Sequence, residues 1–406
     1  MPAGSFQGCA MVDGNPKFEK SIKRFSDLYS NIGEIRTEFG RDYTRILHST
    51  AYRRLKHKTQ VFFATTNDHI CTRIEHVNHV TSVSRTISSY LGLNTELVEA
   101  IAIGHDIGHA PFGHKGEQVL NGLCQKHLSS THTFWHERNS LRLADYIETL
   151  EGPNGQHVNL NLTYAVRDGL ICHCGEVDDA SLCPRDEAVD LETIGKAATT
   201  SPYTWEGCVV KISDKIAYLG RDIEDAKTLN ILSKKQSSEL NKILKAHTFG
   251  KAKEPTNTTL IKTFIRDLCD HSTPKNGICL SHQTFNLMKD IKIFCYANIY
   301  KHVVLERYKA YVDHIMTGLF SVLQIIANNF ISTKENHIQT HCPTLERDFI
   351  KYLQVYSQQH NSKKFEKISK IYELLDEHDR NLACIDFLSG MTDQYALRSF
   401  KETISY

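Results

Sequence analysis

Read for the spacing of its apolar residues, the chain is helical almost throughout, and three segments carry the clearest signal. From Thr72 to Leu91, Val77, Val80, Ser84, Ile87 and Leu91 recur at three- and four-residue steps, the stripe of a half-buried helix. Arg73 and His76 share a face of it, and Gly92 is its stop. From Thr95 to Asp106, Thr95 reads as an N-cap, Leu97, Ala100, Ile101 and Ile103 as core positions, and Gly104 as a point of close approach. From Cys208 to Ala226, Val209, Ile212, Ile216, Leu219 and Ile223 form an apolar stripe. Asp214, Tyr218, Arg221, Asp222 and Asp225 recur on its other face, which suits either a solvated surface or the wall of a polar cavity. No two-residue alternation persists, prolines number only 9, and no internal repeat is visible. Loop-like stretches fall near 150–162, 180–206 and 332–345. The pattern predicts an all-α protein, one helical domain with long insertions whose final third, from about 255, forms a helical subdomain.

Composition narrows the choices. With 406 residues and 40% hydrophobic residues the chain can bury a core without disulfides or a structural metal, so any metal site is free to serve chemistry. A formal net charge of +1 gives no overall basic field to attract nucleic acid. The local run Arg53, Arg54, Lys56, His57 and Lys58 reads first as a solvated helix face. No signal peptide is expected and no apolar stretch approaches a membrane span, so the 12 cysteines read as reduced thiols of a cytoplasmic protein. Cys172-His173-Cys174 looks like a ligand cluster, but no second Cys/His pair stands at zinc spacing.

The candidate chemistry begins where the second helix ends, at His105-Asp106-Ile107-Gly108-His109-Ala110-Pro111-Phe112-Gly113-His114. An adjacent His-Asp pair at a helix end can serve one divalent ion with nitrogen and oxygen ligands. It needs a histidine from an earlier helix and an aspartate from a later one, and His76 and Asp214 are the candidates by position. Alone, such a pair is as well explained by a satisfied polar contact in the core.

The order His76, His105-Asp106, Asp214 resembles the signature of the HD superfamily. Arg41 to Ser49, Tyr52 to Phe62, Thr72 to His76, His105 to Glu117, Asn161-Leu162-Thr163, Ser213 to Tyr218 and Asp222 to Ala226 resemble, in that order, the deoxyguanosine triphosphate triphosphohydrolases. Asp386-Phe387-Leu388-Ser389-Gly390-Met391-Thr392-Asp393 is similar to a further segment of that family, while 235–380 match only loosely.

The resemblance implies an HD-domain helical fold with an additional C-terminal helical subdomain: a catalytic core over 38–250 and a helical C-terminal region over 251–406 packed on it, carrying substrate or oligomer contacts. It implies hydrolysis of a deoxynucleoside triphosphate, dGTP or dNTPs broadly, to a deoxynucleoside and inorganic triphosphate, and no P-loop is present or needed. His76, His105, Asp106 and Asp214 would hold the metal, manganese or magnesium first, with iron, nickel or zinc also compatible. His114 would protonate the 5′-oxygen or orient water, with Glu117 orienting its imidazole, and His109 and His136 would add to the phosphate site. Arg73 would meet the α-phosphate, Lys215 and Tyr218 the triphosphate and sugar, and Gln60 and Asp222 the sugar 3′-hydroxyl. Lys215 stands where many bacterial relatives carry an acid, and the base-reading residues are not identifiable. Partners implied are a second copy or more of the chain, as a hexamer or tetramer, and a nucleotide or single-stranded DNA effector. Two other classes compete: another HD phosphohydrolase, acting as a nucleotide monophosphatase or phosphodiesterase, and a non-enzymatic nucleic-acid-binding regulator.

Overall fold

The computed structural model describes residues 3–27, 34–62, 67–152, 155–174, 180–247, 256–332, 342–357 and 363–404. Among these, sixteen α-helices account for most of the chain. Two short antiparallel ribbons pair Thr149–Glu151 with His157–Asn159 and Ser181–Leu182 with Ile278–Cys279. The fold is all-α; the first ribbon lies at the stretch read as a loop near 150–162, and the second pairs Ser181–Leu182, in the loop near 180–206, with Ile278–Cys279, outside the expected loops.

The chain forms two compact units, each drawn from three segments: 1–47, 65–106 and 162–306 in the first, and 48–64, 107–161 and 307–406 in the second. They alternate along the chain rather than dividing it at 250/251, a boundary that lies outside the described residues.

The core of the first unit is built on Arg73–Leu91, Thr95–Gly104 and Trp205–Thr228, with Tyr164–Cys172 and Asn257–His271 against them. Arg73–Leu91 opens on a capping box, in which the Thr72 N–H donates to Glu75 Oε2 at 2.7 Å, and it stops at Gly92 in the left-handed region at φ 81°. The cap of the next helix is Asn94, one residue before the expected Thr95. The short Asn94 amide reaches two orphan N–H groups, those of Glu96 at 3.0 Å and Leu97 at 3.2 Å, which leaves Thr95 as the first helical residue. Gly104 ends this helix where Leu170 and Ile46 press in, to within 2.9 and 3.0 Å of where a Cβ would stand. The backbone therefore leaves the helix at His105 and Asp106. Trp205–Thr228 is longer than its apolar stripe suggested, because Thr204 caps it by accepting from the Gly207 N–H at 3.1 Å. Its polar row is not a solvated face: Lys215, Asp222 and Asp225 are buried, and Asp214 and Tyr218 half-buried.

The second unit gathers Gly113–His127, His136–Arg142, most of Val303–Ser332, Pro343–Ser357, Glu377–Ser389 and Asp393–Ile404. Val303–Ser332 is long and apolar enough to cross a membrane by length and composition, where the sequence reading found no such stretch. Val312, Met316, Leu319, Phe320, Leu323 and Ile326 are buried at three- and four-residue steps, the pattern of a core helix.

Candidate active site

The four residues expected to hold a metal ion all lie in the first unit, and their donor atoms converge. Asp214 Oδ1 is 2.9 Å from His76 Nε2 and 3.9 Å from His105 Nε2. Asp106 Oδ2 is 3.9 Å from His76 Nε2 and 3.6 Å from His105 Nε2. Donors each ~2.1 Å from one ion stand about 3–4 Å apart, and these four His–Asp separations suit a divalent cation, with His76, His105 and Asp106 forming the group whose donor atoms all lie within 4.8 Å of one another. The arrangement follows from the helices: His76 comes from the first turn of Arg73–Leu91, His105-Asp106 from the end of Thr95–Gly104, and Asp214 from the middle of Trp205–Thr228.

The surroundings prepare the donors. His105 Nδ1 is 2.7 Å from the Ala102 carbonyl oxygen, which fixes the tautomer and turns Nε2 toward the carboxylates. Burial alone would raise the Asp214 carboxyl, but the hydrogen bond from His76 and the charges of His76 and His105 hold it well below the usual carboxylate range. Arg73 donates to Asp106 Oδ2 at 2.5 Å, both side chains buried. The guanidinium expected on a phosphate is therefore engaged with a ligand carboxylate. The His173 ring packs edge-on against His105, centroids 5.0 Å apart.

Cys172-His173-Cys174 does not form a thiolate cluster. The Cys172 sulfur donates to Asp168 at 3.7 Å, burial pushes its thiol well above the usual range, and no metal-competent group among the described residues contains a cysteine. Two turns beyond Asp214, Asp222 accepts from the Tyr300 hydroxyl at 2.6 Å, and burial pushes its carboxyl up to about 7. Sequence reasoning missed Tyr300, which lies in the loosely matching region within a wide helical turn, Tyr296–Tyr300.

The remaining expected catalytic residues belong to the second unit. Gly108 is held by its N–H, which donates to Ser140 Oγ at 2.9 Å, and by its carbonyl, which accepts from Asn139 at 2.7 Å. A Cβ there would stand 2.1 Å from the Ser140 nitrogen, so only glycine lets this loop lie on the His136–Arg142 helix. Phe112 and Gly113 both take left-handed backbone at φ 62°, and this bend launches Gly113–His127 with His114 in its first turn and Glu117 in the turn that follows. His109 is buried and stacks on His136, centroids 4.2 Å apart, with His114 edge-on at 5.4 Å from His109 and 6.1 Å from His136.

Glu117 lies beside His114 as expected, but its shorter hydrogen bond is to a second histidine. Glu117 Oε2 takes its hydrogen bond from His136 Nδ1 at 3.0 Å, while His114 Nδ1 is 3.8 Å away and its side chain is 63% exposed. Spacing of three puts His114 and Glu117 on one face, but His136 enters from the start of another helix and meets the carboxylate first. Burial opposes ionisation of Glu117, and His136 and His114 outweigh it, holding the carboxyl far below its usual range.

Gln60 is half-buried, and the basic run before it disperses. Arg53, Lys56 and His57 are exposed, Arg54 pairs with Glu148 at 2.5 Å, and Lys58 is buried.

Residues 73–219, which contain all four metal-ligand candidates, match the HD domain family. The chain is 32% identical over 369 residues to the deoxyguanosinetriphosphate triphosphohydrolase-like protein of Caldanaerobacter subterraneus subsp. tengcongensis, covering 91% of this chain and 85% of that protein. It is 37% identical over 289 residues to the protein of the same description from Desulfatibacillum aliphaticivorans, covering 70% and 73%. For Pelagibacter ubique the identity is 33% over 375 residues, covering 89% and 92%. With an HD match spanning a convergent His/Asp cluster and this identity along most of its length, the chain belongs to the HD-domain deoxyguanosinetriphosphate triphosphohydrolase-like proteins, a family of hydrolases.

Proposed function

We propose that the enzyme hydrolyses deoxynucleoside triphosphates to a deoxynucleoside and inorganic triphosphate. The observation that carries the proposal is the set of two imidazoles and two carboxylates, His76, His105 and Asp106 buried and Asp214 half-buried, with His–Asp donor separations of 2.9–3.9 Å. The relatives, described as deoxyguanosinetriphosphate triphosphohydrolase-like, support a nucleoside triphosphate as substrate.

A water oxygen forms a bond to the α-phosphorus, and the bond from that phosphorus to the 5′-oxygen breaks. The water's oxygen leaves in the triphosphate, and the 5′-oxygen needs a proton to leave as a hydroxyl. A divalent ion held by His76, His105, Asp106 and Asp214, manganese or magnesium, would supply charge neutralisation and a more acidic water. Arg73 holds Asp106 in place and supplies positive charge for the phosphate. Proton delivery to the 5′-oxygen falls to His114, with His109 and His136 as phosphate contacts and Glu117 keeping the histidine group charged. Lys215 meets the triphosphate, and Tyr218, Asp222 and Gln60 read the deoxyribose. Crowding by Tyr218 at carbon 2 would disfavour a ribose hydroxyl by about 1–3 kcal/mol.

The twelve cysteines are all free thiols, which supports a reducing, cytoplasmic setting. Assembly as a homo-oligomer and control by a nucleotide or single-stranded DNA are part of the same reading. The test is incubation with each dNTP and NTP in the presence of Mn²⁺ or Mg²⁺, with products resolved by ion exchange. Triphosphate plus deoxynucleoside is the expected outcome. Orthophosphate or a nucleoside monophosphate would mark a different HD phosphohydrolase, and no turnover with any metal would leave a binding protein.

A further inference from the structure

The segment Asp386 to Asp393 has no part in the chemistry proposed above, yet Asp386, Ser389 and Asp393 each bond to an element that carries the second unit's histidines or to a residue beside one. Arg142, at the end of the His136–Arg142 helix, forms a forked pair with Asp386 at 2.6–2.9 Å. Ser389 Oγ accepts from Asn139 at 3.3 Å, and the same amide nitrogen donates to the Gly108 carbonyl at 2.7 Å. Lys58 Nζ donates to the carbonyl oxygens of His109 and Ser389. Asp393 closes the set: Oδ1 accepts from the Phe112 N–H at 2.8 Å, and Oδ2 from the Thr59 N–H at 3.0 Å.

Those two N–H groups sit at telling places. Phe112 is a non-glycine residue in left-handed backbone two positions before His114. Such a conformation is unfavourable for a residue that carries a Cβ and persists only where its surroundings impose it. Thr59 immediately precedes Gln60. Asp393 is 6% exposed and Lys58 2%, so water does not substitute readily for either.

We infer that Asp393 and Lys58 are positioning residues for the reaction: one buried carboxylate ties the loop that aims His114 to the loop that carries Gln60, while the lysine fixes the His109 carbonyl between them. The inference rests on the proposed roles of His114 and Gln60. It gives the Gly390-Met391-Thr392-Asp393 turn, distant in sequence from every proposed catalytic group, a task in catalysis.

Asp393→Asn keeps the size of the side chain but offers one acceptor oxygen in place of two, so one of the two N–H groups loses its partner. The expected result with the manganese-loaded enzyme is unchanged bound metal, a fold intact at the assay temperature, and kcat/KM for a dNTP lowered about 10–100-fold, the scale of small misplacements in a preorganised site. The decisive reading is a cycle with His114→Ala and Gln60→Ala. If Asp393 acts through these loops, the Asp393→Asn loss shrinks to threefold or less, as an order of magnitude, in at least one of the two backgrounds. Lys58→Arg should retain more activity than Lys58→Met, since the guanidinium can still donate to both carbonyls. An equal Asp393→Asn loss in the wild-type, His114→Ala and Gln60→Ala backgrounds would mean a merely structural role and overturn the inference, as would wild-type kcat/KM in Asp393→Asn itself. If His114→Ala and Gln60→Ala alone keep normal turnover, the functional reading fails and this inference with it, an outcome visible before any cycle is drawn.

Discussion

The metal cluster and the histidine cluster use the same chemical groups, imidazoles and carboxylates, in opposite surroundings. In the first unit, His76, His105 and Asp106 are each no more than 3% exposed and sit in or at the ends of regular helices. In the second, the His114 side chain is 63% exposed, and its helix starts from two consecutive left-handed residues. The first cluster is set by helix packing, in which Gly104 and Gly169 let neighbouring side chains press onto the backbone. The second is set by a bent loop held by side chains from Ser140, Asn139, Lys58 and Asp393. A site that must hold a cation profits from rigid, dehydrated donors, whereas a site that moves a proton needs groups that stay within reach of solvent and substrate.

The sharpest way to break this contrast is to remove a ligand. Asp106→Asn or His105→Ala should abolish turnover, by ~10³-fold or more, because metal and chemistry are lost together. Metal analysis of the purified variants should show stoichiometry well below the wild type. Full activity with full metal in either variant would dissolve the distinction between the two clusters.

On the other side of the comparison, His114→Ala should keep its metal and lose ~10²–10⁴-fold in kcat, the scale of a lost general acid or base. If it loses metal, His114 is a ligand. If it keeps turnover, His136 is the next variant to assay, since that is where the Glu117 hydrogen bond goes.

A smaller effect concerns the sugar. Relative kcat/KM for dGTP and GTP should favour the deoxynucleotide by roughly 10–100-fold, and Tyr218→Ala should narrow the gap. Comparable use of both nucleotides by the wild type would remove Tyr218, Asp222 and Gln60 from sugar recognition.

The smallest effect is on acid stability. The folded-state carboxyl of Glu117 lies below its ordinary value of 4.5, so its ionised form stabilises the fold above that pH. This contribution is lost as pH falls from 4.5 toward the lowered folded value. Melting curves of the wild type and Glu117→Gln should therefore differ most near neutrality and converge below about pH 4.5. A gap that widens on acidification would show that Glu117 is not held ionised by its histidines.

The contrast also explains what could be read from the sequence. His76, His105-Asp106 and Asp214 were legible because helix periodicity places them and the resemblance orders them. The polar row from Asp214 to Asp225 left its own environment open, since three- and four-residue spacing describes a buried polar wall and a wet face equally well. The second partner of Glu117 was not legible, because spacing along one helix cannot reveal a histidine arriving from the next. Lys58 read as part of a basic surface run, although its ammonium is buried on two carbonyl oxygens. Asn94 rather than Thr95 as cap, and Cys172 on Asp168 rather than on a metal, are by contrast contacts two to four residues apart, within reach of a local reading that had two neighbouring candidates to choose between.

The most direct measurement is hydrolysis of a dNTP in ¹⁸O-enriched water with Mn²⁺, followed by phosphorus NMR of the products. Attack at the α-phosphorus yields free deoxynucleoside and inorganic triphosphate, with the heavy oxygen on a terminal phosphorus of the triphosphate and none in the nucleoside. Release of orthophosphate or pyrophosphate, or label in a nucleoside product, would contradict the proposed reaction at this cluster.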